Sequence, residues 1–161
     1  HIKKFDKSLS PLFADASVVT ILDNSKINYL DFKFGYLPNS FKKISCFHNN
    51  SLKMKGGEVF DFINSTVIPN LINFIEKHEN ISRLYFHQAS KVIVDLFIDR
   101  LKNYRFHIPV NIEEVGNLVS ATIPYLISED IKQKPILKKE KILLCGFGVG
   151  LSYSFGILES N

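Results

Sequence analysis

Apolar residues fall along this chain in short runs of strand character separated by longer stretches of helical period. Leu84-Tyr85-Phe86 is one such run; it ends in His87 and a small polar turn, Gln88-Ala89-Ser90. From Lys91 the apolar positions Val92, Ile93, Leu96, Phe97 and Leu101 predict a helix to about Asn103. Glu58 to Lys77 carries the same period through Val59, Phe60, Phe62, Ile63, Val67, Ile68, Leu71, Ile72 and Ile75. Pro69 lacks an N–H and is expected to kink or split that helix. Val18 to Leu22 is β-branched and Lys26 to Gly35 partly alternates, so the two are expected to pair as a hairpin around Asp23-Asn24-Ser25.

The remaining segments complete the pattern. Pro38 to Ser51, rich in Asn, Ser and Lys, reads as a long loop. Phe106 to Val110 reads as a strand and Glu113 to Asn117 as the loop after it. Leu118 to Pro124 leads into a helix through about Ile127, and Ile131 to Lys141 reads as a lysine-rich solvated connector. Lys141 to Cys145 is a strand, Gly146 to Gly150 a glycine-rich turn, and Leu151 to Leu158 a final strand. The order strand–helix–strand–helix–strand–strand after a hairpin is an α/β layout.

Composition narrows this modestly. A chain of 161 residues, 45% hydrophobic, predicts a single domain over 1–161 with a sizeable core. No apolar run approaches the ~18 residues of a membrane span, and no signal peptide is read at the start. Cys46 and Cys145 lie far apart without metal or redox spacing, which favours a reduced, cytoplasmic setting. The net charge of +4 suits an acidic partner, but the lysines are scattered without an aromatic–basic pattern, which argues against nucleic acid. The chain begins with His1, as processing, tag removal or a cut from a longer polypeptide would leave it; the motifs below favour the last.

Two stretches invite chemistry. His87 stands at the carboxyl end of a strand just before a helix, where α/β folds place reactive groups, although a lone histidine there is more often structural. Cys46-Phe47-His48 suggests a thiol–imidazole pair, but sequence neighbours seldom face each other, and an ordinary loop cysteine is the reading adopted. Cys145 is expected to face the core.

Five motifs then occur in one order. They are Phe13-Ala14-Asp15-Ala16-Ser17; Met54-Lys55-Gly56-Gly57-Glu58-Val59-Phe60; His87-Gln88-Ala89-Ser90; Gly116-Asn117 with Ser120-Ala121-Thr122-Ile123-Pro124; and Phe147-Gly148-Val149-Gly150. Together they resemble the β-ketoacyl-acyl-carrier-protein synthase III family of the thiolase superfamily, over its C-terminal half only. The resemblance implies an α/β, thiolase-like fold, a mixed sheet with helices packed on it. It implies an acyltransferase that condenses an acyl thioester with a malonyl thioester, with loss of carbon dioxide.

By resemblance, the His87 imidazole and the Asn117 amide are donors to the enolate formed on decarboxylation. The Val149 backbone N–H is the donor to the oxyanion formed when the acyl-cysteine is attacked. Gly57, Phe60, Ala89 and Ser90 align with positions lining a pantetheine channel, with helix packing as the competing role. Ser90 stands where Asn is usual, Gly57 lacks the side-chain amide often found there, and Val92 replaces an arginine that helps dock the carrier protein. Neither cysteine has the small-residue elbow of the family's nucleophile, which belongs to the amino-terminal half; this chain by itself is therefore expected not to condense. The implied partners are acyl carrier protein, acyl-CoA, that other half and a second copy in a homodimer, with no metal, cofactor, nucleic acid or membrane. The competing readings are a non-catalytic thiolase-fold scaffold or binding domain and a specialised acyltransferase.

Overall fold

The computed structural model describes residues 2, 6–21, 23, 26–46 and 51–161. Its centre is a mixed sheet of β1 (Ile27–Tyr36), β4 (Ile81–Phe86), β5 (Lys141–Gly148) and β6 (Ser152–Ser160), in the order β1-β6-β5-β4. β6 runs antiparallel to both β1 and β5, while β4 and β5 are parallel. Parallel neighbours need a crossover, and the chain supplies it with α3 (Lys91–Leu101), α4 (Ile112–Val115), a 3₁₀ turn (Val119–Ala121) and α5 (Thr122–Gln133). β2 (Ile44–Ser45) and β3 (Lys53–Met54) form a small separate ladder.

Alternation along the strands sends side chains to two faces. Leu84, Phe86, Leu143, Cys145, Tyr153, Phe155 and Ile157 pack in the main core with α3 and the helical run from Gly56 to Ile75. That run is α1 (Gly56–Phe62), a π-helical segment (Ile63–Val67) and α2 (Ile68–Ile75). The wide turn is where the ring of Pro69, which has no N–H and crowds the carbonyl four residues back, must be accommodated. Ile68 accordingly donates to the Ile63 carbonyl, five residues back. On the opposite face Tyr85 and Ile142 pack with Leu126 of α5, flanked by Ile123, Ile127 and Leu144. Phe32, Phe34 and Tyr36 of β1 lie across from Gly156, Ser154 and Ser152 on this same face and are more than half exposed.

Several expectations need correction. Residues 14–21 form no strand, with Val19 87% and Ile21 88% exposed; Leu22, Asn24 and Ser25 lie outside the described residues. The hairpin is therefore not observed: β1 pairs along its length with β6, a ladder the local pattern could not reveal. The loop at 38–51 contains β2. Among the described residues, Phe106 to Val110 makes a single bridge, Arg83 to His107, because Pro109 has no N–H to extend a ladder. α5 runs on to Gln133, past the predicted end near Ile127.

α5 is held by a buried polar cluster. Arg83, 1% exposed, donates to Asp130 at 2.9 Å, Glu140 at 2.7 Å and the carbonyls of Lys134 and Pro135 at 2.8 Å. Tyr85 donates to Asp130 at 2.6 Å, and His107 Nε2 lies 2.7 Å from its other oxygen. Burial opposes charge on Asp130, but the hydrogen bonds from Tyr85 and His107 and the Arg83 charge outweigh it and hold the carboxyl below its ordinary range. Burial, then the bond to Asp130, pushes the Tyr85 phenol up to about 12.

Candidate functional site

A cavity of about 730 Å³ opens where the carboxyl end of β4, the β5–β6 turn and the start of the crossover to α5 converge. His87, Ala89, Asn117 and Val149 all line it. Residues that are 30 positions apart in sequence, His87 and Asn117, thus face one space.

β4 delivers His87 just past its last residue, and the His87 N–H bonds the Cys145 carbonyl of β5 at 2.9 Å. Phe147 stands edge-on to the imidazole with ring centres 5.2 Å apart. Phe147 in turn stacks on Phe97, and Phe97 on Phe86. Burial pushes the His87 pKa down to about 4. The ring is therefore neutral at physiological pH and keeps one N–H to donate.

Asn117 is gripped through both backbone and side chain. Its N–H donates to the Leu12 carbonyl at 2.8 Å, and its carbonyl accepts from Ala14 at 3.0 Å. Its Oδ1 accepts from the Val119 N–H at 2.8 Å, and Nδ2 donates to the Ala89 carbonyl at 3.2 Å. An amide nitrogen has two hydrogens, so this scheme spends one and leaves one for a ligand. Val119, with φ 53°, is a β-branched residue in the left-handed region, a conformation costing roughly 1–3 kcal/mol. Thr122 helps hold it by donating to the Val119 carbonyl at 2.9 Å.

Gly116 precedes Asn117 at φ 71° and ψ −169°, open almost only to glycine. A Cβ there would also sit 3.4 Å from the Leu12 carbonyl and the Ala14 Cβ. Gly116→Ala should therefore lower unfolding stability by about 1–3 kcal/mol; an unchanged denaturation midpoint would refute the strain argument.

The other predicted residues are placed differently. Gly57 is exposed with open space around it, Phe60 packs against the main core, and Ser90 caps α3 by accepting from the Ile93 N–H. None of the three lines this cavity. Cys145 is fully buried, and burial pushes its thiol pKa up. Cys46 lines the cavity, a position its loop sequence did not announce, while Phe47 and His48 lie outside the described residues. Sequence reasoning also passed over Gln88. Completely buried, it donates to the Pro109 carbonyl at 3.0 Å and accepts from the Asn111 N–H at 3.1 Å, tying the His87 turn to the start of α4. Its place within the His87 motif was the available signal. Among the described residues, no three His, Cys, Asp or Glu side chains group as metal ligands, and no helix is long and apolar enough to cross a membrane.

A mixed sheet with helices on both faces, and a strand-end histidine sharing a cavity with an asparagine before a helix, describe one half of a thiolase-like fold. Solved structures agree. The 3-oxoacyl-[acyl-carrier-protein] synthase III of Aquifex aeolicus VF5 superposes with a TM-score of 0.78 at 25% identity, over 96% of this chain and 52% of its own. The beta-ketoacyl-[acyl-carrier-protein] synthase III of Thermus thermophilus gives 0.77 at 27%, over 95% and 53%. The family described as 3-Oxoacyl-[acyl-carrier-protein (ACP)] synthase III C terminal matches residues 76–160, and the chain belongs to that family.

Among curated relatives, the beta-ketoacyl-[acyl-carrier-protein] synthase III of Lactococcus lactis subsp. cremoris (strain MG1363) is 30% identical, over 96% of this chain and 54% of its own. That of Clostridium perfringens (strain SM101 / Type A) is 29% identical over 85% and 44%. The chain thus spans about half the length of these relatives.

Proposed function

We propose that the complete protein catalyses decarboxylative condensation of an acyl thioester with a malonyl thioester, this chain forming its C-terminal region. The observation carrying the proposal is the shared cavity, in which a neutral imidazole and a fixed carboxamide stand together. When a malonyl thioester loses carbon dioxide, the electron pair of the breaking C–C bond moves into the thioester carbonyl, and negative charge grows on its oxygen. The His87 N–H and the remaining Asn117 N–H are donors suited to that oxygen. The enolate carbon then attacks the acyl-cysteine carbonyl, whose oxygen becomes a second oxyanion that accepts from the Val149 backbone N–H. Its collapse breaks the C–S bond and returns the cysteine thiolate.

By the resemblance to the family, the cysteine is supplied by the amino-terminal half: Cys145 is sealed in the core, and Cys46, although it lines the cavity, lacks the small-residue elbow of the nucleophile. The half-covered sheet face at Phe32, Phe34 and Tyr36 is where that half packs. Acyl-CoA and acyl carrier protein are the thioester carriers, the setting is cytoplasmic, and the complete enzyme is a homodimer. Ala89 belongs to the thioester channel, whereas Gly57, Phe60 and Ser90 contribute to it only through the elements they build.

The test is carbon dioxide release from a malonyl thioester and acyl transfer by the complete protein; absence of both would reject the reading. The 161-residue chain incubated with acyl-CoA should form no condensation product and no acyl adduct on either cysteine. A mass shift localised to Cys46 would overturn the assignment of the nucleophile to the other half.

His87 also makes stability depend on pH. Its folded pKa of about 4 lies below the ordinary 6.5. The unfolded chain therefore binds the extra proton first. The stabilisation is present above pH 6.5 and is lost as pH falls toward about 4. Unfolding measured across this window should show a slope that His87→Gln reduces; equal slopes would contradict the buried, neutral assignment.

A further inference from the structure

The β5–β6 turn that presents the Val149 N–H is held by a residue far away in sequence. Ser40, 1% exposed, lies beyond β1, and its hydroxyl reaches the turn across 110 positions. Its Oγ lies 2.7 Å from the Gly150 carbonyl and 2.5 Å from the Leu37 carbonyl, and it accepts the Leu151 N–H at 2.5 Å. The Leu37 N–H adds a backbone bond to the Leu151 carbonyl at 2.8 Å. The segment 37–40 thus binds the Gly150–Leu151 peptide group through both its carbonyl and its N–H, and the Leu151 carbonyl beyond it.

The turn has other anchors as well: Gly148 pairs with Ser152 in the β5–β6 ladder, and the Leu151 side chain is fully buried in the main core. Val149 is 68% exposed, so its side chain does not anchor the backbone in the core. Gly150, at φ 137°, adopts a backbone shape that other residues rarely take. Across the turn, Ser152 Oγ donates to the Val149 carbonyl at 2.9 Å, but Ser152 moves with the turn. An oxyanion donor is effective only when its direction is fixed before the charge develops. Ser40 is a buried polar side chain that hydrogen-bonds the backbone of this turn from another part of the fold.

We propose that Ser40 is a positioning residue for acyl transfer: by fixing the Gly150 carbonyl and the Leu151 N–H, it aims the Val149 N–H at the acyl oxyanion. This rests on the role of Val149 given above, extended to the oxyanion that the same acyl carbonyl forms when the cysteine attacks acyl-CoA. His87 and Asn117 are held by other contacts, so decarboxylation should not depend on Ser40.

The experiment uses the complete enzyme with two assays. One is coenzyme A release as the acyl group passes from acyl-CoA to the cysteine; the other is carbon dioxide release from a malonyl thioester. Ser40→Ala should lower kcat for acyl transfer by about 10–100-fold, leaving KM and decarboxylation within about twofold of wild type. Ser40→Cys, similar in size and a weaker hydrogen-bonding group, should fall between. It also decides the matter if the alanine variant does not fold.

Two results would overturn the proposal: both activities falling in proportion, as general loosening gives, or acyl transfer continuing at the wild-type rate. Val149→Pro, which removes the N–H, separates the possibilities. If it leaves acyl transfer intact while decarboxylation is unchanged, the Val149 role fails and Ser40 falls with it. If it slows acyl transfer while Ser40→Ala does not, only the Ser40 proposal is lost.

Discussion

In the complete enzyme, Asn117→Ala and His87→Ala should each slow malonyl-thioester decarboxylation by about 10²–10³-fold, the effect of removing one preorganised donor from a developing oxyanion. KM for the malonyl thioester should change little, because the donors act most strongly on charge that the ground state lacks. The two substitutions differ structurally. Asn117→Ala also strands the Val119 N–H, whose bond to Oδ1 is 2.8 Å, and frees the strained Val119 backbone, so some loss of stability should accompany it. His87→Ala removes a ring that makes an edge contact with Phe147. A double variant much less impaired than the product of the two single losses would indicate that the groups act as one unit on one oxygen. Wild-type decarboxylation in both single variants would leave a thiolase-like scaffold without this chemistry.

Arg83→Met should be the most damaging substitution for stability. The guanidinium is 1% exposed and bridges Asp130 and Glu140, whose side chains are only 7% and 10% exposed. Removing it leaves two carboxylates in poor solvent contact without their cation, and breaking such a buried pair costs about 3–5 kcal/mol. The deficit should shrink in acid. Asp130 and Glu140 are both held below the ordinary carboxylate range in the native fold. Their stabilisation is present above that range and is lost as pH falls through the depressed folded values. Adding Asp130→Asn and Glu140→Gln to Arg83→Met should recover part of the loss. Denaturant unfolding measures all three effects, and a loss below about 1 kcal/mol for Arg83→Met would refute a buried-pair role.

This cluster also illustrates where the sequence was silent. Arg83 sits within an otherwise apolar strand, and nothing at positions 130 or 140 marks its partners, because ion pairs across 47 and 57 positions leave no local period. Elements with a strong local pattern were legible: α3, the helical run from Gly56 to Ile75, and the β5-turn-β6 unit. Failures occurred where pairing is non-local or interrupted by proline. Val18 to Leu22 had the composition of a strand, but Val18 to Ile21 pair with no strand among the described residues, and Phe106 to Val110 lost its ladder at Pro109. For the site, His87 and Asn117 could be found through their motifs. Cys46 became a cavity residue only through the β2–β3 ladder, and Ser40 only through a long-range hydroxyl contact.

The uncovered stripe of Phe32, Phe34 and Tyr36 lies on a strand whose outer edge carries no ladder among the described residues. Rings beside open backbone groups favour sticking between molecules. Made alone and concentrated, the 161-residue polypeptide should bind hydrophobic dyes, lose solubility and engage chaperones that recognise bare apolar surface. Changing Phe34 to lysine should relieve all three behaviours without disturbing the opposite face of the sheet.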